Sequence, residues 1–305
     1  MRAAYRRFRS NGAAVWGAAG LGALVLFCLV APVLSPYDPY AVDFGDKLRL
    51  PSPKHLLGTD FFGRDLLERM ALGGRNSMFI ALVAIGIILI LGLVYGAVAG
   101  LAGGKLDELM MRVLDALFAV PRLPGVLIIL VLVGANGNIF TVILALSLFS
   151  WMTTARLVRA QITTLKENDY VRAARALGAR PHQVLFRHLV PNTLGILLVA
   201  VLLELPGVIL NEAFVSVLGL GLNAPTATWG NIAQEGLGRS NPYFLVLPSA
   251  AIALFAVAVN FVADGLQDAL DPRRENVGAG GAWNPLQGFI RPAARVTAAS
   301  PGSAQ

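Results

Sequence analysis

Residues 172–192 read "RAARALGARPHQVLFRHLVPN", a basic, alanine-rich segment set between two long apolar runs. Tyr170–Leu177 is predicted to be a short helix. Asn168 or Asp169 caps it, Ala173, Ala174 and Ala176 fill its body, and Gly178 ends it. Pro181 suits the first turn of a second short helix, "HQVLFRHL", and Pro191 marks the start of the next apolar run. So little side-chain bulk lets another protein's groove approach the first helix closely. The arginines at 172, 175, 180 and 187 suit a helix lying among lipid headgroups equally well.

What flanks the segment is built for lipid. Of 305 residues, 56% are hydrophobic and 14% charged, against about 25% charged in soluble domains. Six runs approach the roughly 20 apolar residues that cross a bilayer. They are Ala13–Leu34, Asn76–Gly100, Val113–Val133 (broken by Pro121, Arg122 and Pro124), Ile139–Ala155, Thr193–Val217 and Tyr243–Val262. They lack the alternation of barrel strands, and lipid offers backbone amides no partners, so the expected fold is an all-α membrane protein with six transmembrane helices.

The amino terminus, "MRAAYRRFRSNG" followed by 22 apolar residues, has the outline of a signal peptide. That apolar stretch exceeds the usual length and Pro32-Val33-Leu34 is a poor cleavage site, so a retained helix is expected. Charge orients the bundle. With the amino terminus inside, the inner segments hold 17 Lys and Arg and the outer ones seven, placing both termini in the cytoplasm. The net charge of +7 is dispersed among few aromatics and does not point to nucleic acid. Cys28, the single cysteine, excludes an intrachain disulfide.

Two segments between spans look structured. In "SPYDPYAVDFGDKLRLPSPKHLLGTDFFGRDLLERM" (35–70), Thr59 or Asp60 is an N-cap candidate ahead of Asp65–Glu68. In "LGLGLNAPTATWGNIAQEG" (218–236), turn residues surround a Trp suited to the membrane interface. Four ionisable residues fall within or beside apolar runs: Asp115, Arg122, Glu204 and Glu212. A charge at the bilayer centre costs about 2.5–3.5 kcal/mol or more, so such groups face an interior or a cavity. One reading is a solute path that recognises peptide termini. The other places Asp115 and Glu212 at helix ends and pairs Arg122 with Glu204.

Some chemistries are disfavoured. No G-x-x-x-x-G-K-[ST] loop occurs, so ATP hydrolysis is not expected in this chain. His55, His182 and His188 lie outside the spans and do not converge as metal ligands. Ser147, Ser216 and Ser249 have no His or Lys within a span to activate them as nucleophiles. An ion-coupled secondary carrier is the alternative kept, although the paired broken helices typical of carriers are not evident.

The ordered motifs resemble the permeases of ABC importers, specifically the second, C-type permease of the dipeptide/oligopeptide/nickel subfamily. The resemblance is carried by "HLLGTDFFGRDLLERM" (55–70), "ARLVRAQ" (155–161), "YVRAARALGA" (170–179), "FRHLVPN" (186–192), "EAFVSVLGLG" (212–221), "PTATWGN" (225–231) and "DGLQDALDPR" (264–273). It implies the type I importer permease fold, with the opening segment as a cytoplasmic coupling helix gripped by an ATPase. Arg172, Ala173, Ala174, Leu177, Gly178 and Pro191 would form that contact; Glu204 and Arg122, read from their position as intramembrane charges, are the candidates for the translocation path. Arg172 stands where the family carries an acidic residue, and Val190 where Leu is usual; either position 172 faces solvent, or a partner groove compensates, or coupling in this homologue is impaired, the first two being favoured. The implied partners are a second homologous permease, two ATPase subunits that bind ATP and Mg, an extracytoplasmic solute-binding protein and the bilayer. This chain itself would bind no cofactor, and it would sit in a bacterial-type cytoplasmic membrane. The expected organisation is a basic cytoplasmic N-terminus (1–12), a first transmembrane helix (13–34), a periplasmic or extracellular segment (35–75) and a five-helix core (76–265) with coupling loop 156–192. A cytoplasmic, largely disordered tail (266–305) completes it.

Overall fold

The structure, a computed structural model, describes residues 2–134, 138–237 and 243–270. The Asn241-Pro242 turn and most of the tail (271–305) lie outside the described residues, while 266–270 continue the last helix. The described elements are helices: α1 (Arg2–Ser10), α2 (Gly12–Leu34), α3 (Leu66–Ala102), α4 (Gly104–Phe118), α5 (Arg122–Val133), α6 (Ile139–Leu165), α7 (Asp169–Ala176), α8 (Pro181–Val184), α9 (Val190–Val217), α10 (Trp229–Gly236) and α11 (Tyr243–Leu270). A short 3₁₀ turn spans Phe44–Asp46, and a π-helical segment, Leu185–Leu189, joins α8 to α9.

Among the described residues, five helices are long and apolar enough to cross a membrane, counting α8 through α9 as one of 37 residues. The α4–α5 pair, bent by 80°, makes a sixth if read as one broken span. Pro121 precedes the first residue of α5 and Pro124 lies in its first turn, where the missing N–H costs no helical bond.

The bundle is locked where α3 meets α6. Gly92, Gly96 and Gly100 recur every fourth residue on one face of α3. A methyl group built on Gly96 would lie 2.3 Å from the Ala155 carbonyl oxygen and 2.7 Å from Val158 Cβ. On Gly92 it would lie 2.6 Å from Thr154, and on Gly100 3.0 Å from the Arg159 carbonyl oxygen. Between lipid-soluble helices the hydrophobic effect offers no preference for contact, so such backbone approach supplies the dispersion contacts that hold them together. Because the contacts advance in the same direction along both chains, the two helices run parallel. A second close contact joins the first and last spans: Gly17 abuts Phe261 and the Ala258 carbonyl, Gly265 abuts Ala14, and Asn11 Nδ2 donates to Asp268 at 3.3 Å. The beginning of α2 therefore lies beside the end of α11.

Helix ends differ from the apolar runs. α3 begins at Leu66, ten residues before the expected Asn76, and its N-cap is Asp65, whose carboxylate accepts from Glu68 N at 3.0 Å, rather than Thr59 or Asp60. α6 runs to Leu165 and α11 to Leu270. In each case a helix that starts in hydrocarbon continues beyond it because packing or ion pairs receive the polar extension. Trp229, expected at the membrane interface, is fully buried instead. Its ring covers Gly74, and its Nε1 donates to the Met70 carbonyl at 3.0 Å.

Candidate functional site

Three constellations stand out: one at the bundle end that carries α7, one near mid-span and one at the opposite end.

At the first, loop 156–192 is almost wholly helical. α7 is followed by Gly178 at φ +88, the left-handed conformation that glycine adopts without penalty. The Gly178 and Ala179 amides bond back to Arg175 and Ala174 carbonyls at 2.9 and 3.0 Å, closing the helix end. Val171 and Val184 are buried and anchor the hairpin. The opposite face is open: Arg172, Ala173, Arg175 and Arg180 are exposed, and Leu177 at the tip is 89% exposed. Pro191 does not mark a boundary. It lies at the start of α9 in a helix that continues without a break from Pro181. Its ring crowds the carbonyl four residues back. The chain accommodates this by widening locally into the π segment, in which Val190 N bonds to the Leu185 carbonyl.

Near mid-span, the structure brings together two predicted residues. Arg122, first in α5, lies with Nη1 3.6 Å from Glu204 Oε2 of α9, and its Nη2 donates to Ser150 Oγ of α6 at 2.5 Å. Ser150, which also donates to the Leu146 carbonyl, went unnoticed in the sequence because a serine in an apolar helix carries no signal of its own. Asp115 sits near the end of α4 and pairs with Arg156, while Asp107 of α4 forms a two-pronged bridge to Arg159 at 2.5 and 2.6 Å.

The opposite end is a closed polar cluster. Arg69 reaches Asp60 at 2.7 Å and both oxygens of Glu235 at 2.5 and 2.8 Å, and Arg64 reaches Asp60 at 2.6 Å. His55 Nδ1 lies 2.9 Å from Asp65. Below them Glu212, expected at a helix end, is buried within α9 and accepts from Ser77 at 3.1 Å and Ser216 at 2.8 Å. Two hydroxyl donors and the packing of α3 and α10 make that position an interior one. Farther out, Lys54 donates to Asp46 at 2.9 Å and holds its carboxyl below the usual carboxylate range, with burial opposing and the Arg49 charge assisting. The same bond holds the Lys54 ammonium above its ordinary value. Beside this cluster a cavity of about 280 Å³ is bordered by Arg69, Asn223, Gln234 and Glu235.

The family described as binding-protein-dependent transport system inner membrane component matches residues 92–276. The chain belongs to that family. Residues 1–52 match the N-terminal transmembrane domain of oligopeptide transport permease C. Similar proteins include the oligopeptide transport system permease protein OppC of Bacillus subtilis, 40% identical over 88% of each chain. The dipeptide transport system permease protein DppC of the same organism is 37% identical over 88% of this chain and 85% of its own. The Escherichia coli OppC is 36% identical over 88% of this chain and 90% of its own. Among solved structures, the methionine ABC transporter MetNI in inward-facing conformations aligns with a TM-score of 0.53 at 19% identity, covering 65% of this chain and 95% of that one. The fold is thus the type I permease fold of ABC importers, and the chain is the multi-span inner-membrane permease of an ATP-driven importer. Family membership decides against the ion-coupled carrier.

Proposed function

We propose that the importer carries peptides, and that the α7–α8 hairpin is the contact through which separate ATPase subunits, binding ATP and Mg, drive this permease. The peptide reading rests on relatives of near-complete mutual coverage named for oligopeptide and dipeptide transport. The coupling reading rests on one observation above the others: a hairpin anchored by Val171 and Val184 presents an almost wholly exposed leucine, Leu177, at a glycine-closed tip. An apolar side chain held out rigidly on a small-residue helix is built to be covered by another protein.

Arg172, Ala173, Ala174, Leu177 and Gly178 make that contact, and Pro191 shapes the helix that receives it. The excess of Lys and Arg in the inner loops supports a cytoplasmic side for this hairpin and both termini. A second homologous permease completes the path, which Arg122 and Glu204 line, and an extracytoplasmic solute-binding protein delivers the peptide. ATP closure of the ATPase pair moves the hairpins as rigid bodies and switches the side to which the path opens.

Cysteine scanning in a Cys28→Ser background tests this reading. Leu177→Cys should react with a membrane-impermeant thiol reagent only in inside-out vesicles, and ATPase co-expression should protect it. Leu177→Asp should abolish ATPase co-purification while the permease still inserts. Labelling of residue 177 from the outside, or undiminished ATPase capture by Leu177→Asp, refutes the assignment.

A further inference from the structure

The mid-span pair differs in kind from the other buried ion pairs. Arg69 and Asp60 are closed off, with side chains 2% and 0% exposed, and Arg69 bonds Asp60 and Glu235 at 2.8 Å or less. Arg122 and Glu204 are 36% and 27% exposed and stand 3.6 Å apart, beyond hydrogen-bonding distance. Among the described residues, only Ser150 Oγ hydrogen-bonds the guanidinium. Arg122 keeps N–H donors, and Glu204 oxygen lone pairs, that no hydrogen bond among the described residues takes up, and both side chains are partly exposed.

Depth can be counted along the helices. Arg122 lies eleven residues from the end of α5 at Val133, Ser150 eleven from the start of α6 at Ile139, and Glu204 thirteen from the end of α9 at Val217. At 1.5 Å per residue these are about 16, 16 and 20 Å. All three helix ends lie at the side of the bundle opposite α7, so the group sits near the middle of about 30 Å of hydrocarbon. At that depth the open sides of two charges face water or protein, since lipid offers neither any solvation.

The chemistry of such a site is specific. A free peptide in transit carries an ammonium and a carboxylate whatever its side chains are, and both lose hydration as it passes. A loose, net-neutral pair can exchange partners with it. The ammonium moves to Glu204, the carboxylate takes the donors of Arg122, and charge is balanced before, during and after. When the peptide leaves, the protein's own pair re-forms, so compensation comes without tight retention, as a conduction path requires. We infer that Arg122 and Glu204 form a mid-membrane exchange site for the two oppositely charged termini of a free peptide. The inference rests on the peptide reading above.

The test uses the complete importer, with both permeases, ATPases and binding protein, in proteoliposomes. Its substrates are one tripeptide in three forms: free, N-acetylated and C-amidated. Rates are divided by the fraction of binding protein that each form occupies, measured separately, so that receptor preference drops out. Glu204→Gln should slow the C-amidated, cationic form by about 10- to 100-fold and largely spare the N-acetylated form, and Arg122→Gln should do the reverse; this is the range expected for losing one charge-assisted hydrogen bond. If either single variant fails to assemble, as judged by co-purification, the exchanged pair Arg122→Glu/Glu204→Arg takes its place and should carry the free peptide faster than either capped form. Equal loss for all three forms, or equal rates for all forms in the exchanged pair, would show a structural brace and overturn the inference. Failure of the wild-type importer to move any form overturns the peptide reading itself, a result distinct from the crossed pattern's absence.

Discussion

Substituting the α3 glycines measures how closely the two central helices must approach. At Gly96 a methyl group lies 2.3 Å from the Ala155 carbonyl oxygen and 2.7 Å from Val158 Cβ. Ordinary van der Waals contact needs more than 3.4 Å, so α3 and α6 must separate by about an ångström or α6 must deform. Overpacking of this kind costs about 1–3 kcal/mol. At Gly100 the nearest atoms lie at 3.0–3.1 Å and a few tenths of an ångström suffice, so the loss should be well under half of that. Gly86, on the same helix, has nothing within 4 Å of the added methyl and serves as the reference, absorbing any gain in helix propensity common to all three. Unfolding in detergent is followed with a thiol-reactive dye on Cys28, the only cysteine, which is buried against Gly74 of α3. Relative to Gly86→Ala, Gly96→Ala should lower the midpoint by several degrees, at about 2–4 °C per kcal/mol for a chain of this size, and Gly100→Ala by less. Equal midpoints for Gly86→Ala and Gly96→Ala would mean that the two helices are not in backbone contact.

Other perturbations follow from the same geometry. Arg69→Ala removes one of the two guanidiniums shared by Asp60 and Glu235, leaving Arg64, and should destabilise by about 1.5–3 kcal/mol in chemical unfolding, whereas the isolated loss of the exposed Glu108–Arg112 pair by Arg112→Ala should cost under about 1. Trp229→Phe keeps a ring over Gly74 but removes the Nε1 bond to the Met70 carbonyl, which retains its helical partner, for a loss of about 0.5–1.5 kcal/mol and faster amide exchange in the first turns of α3. The Lys54 bond lowers the Asp46 pKa, so the folded state binds that proton less readily than the unfolded chain. The stabilisation is complete above the ordinary carboxylate range and disappears as pH falls through and below it. Protease resistance of segment 35–65 should therefore drop on acidification, and Asp46→Asn should remove that pH dependence.

The spans were legible because twenty-odd apolar residues have few uses other than crossing lipid, and the pairing of Arg122 with Glu204 followed from the cost of leaving either alone. The Gly178 stop and the alanine face of α7 were legible for a similar reason, since glycine after an alanine-rich helix constrains the backbone directly. Helix ends were not, because Leu66–Arg75 and Arg156–Leu165 are helical through what they meet rather than through their own hydropathy. Glu212 and Trp229 misled for the same cause: both residues tolerate an interface or an interior, and only Ser77, Ser216 and Gly74, distant in sequence, decide between the two. The Gly92-Gly96-Gly100 period was present in the sequence as a four-residue stripe, a pattern that points to close helix contact in lipid.

The uninterrupted helix from Pro181 to Val217 has a further consequence. It joins the Gly178 turn to the interior carboxylate Glu212, about 46 Å from Pro181 along the axis, with the π widening and one mid-helix proline, Pro206, on the way. A shaft of that length works as a lever: a tilt of about five degrees at one end sweeps the other through about 4 Å. Force applied at the tip would arrive near Glu212, and softening the shaft near residues 185–189 should uncouple one end from the other without touching either.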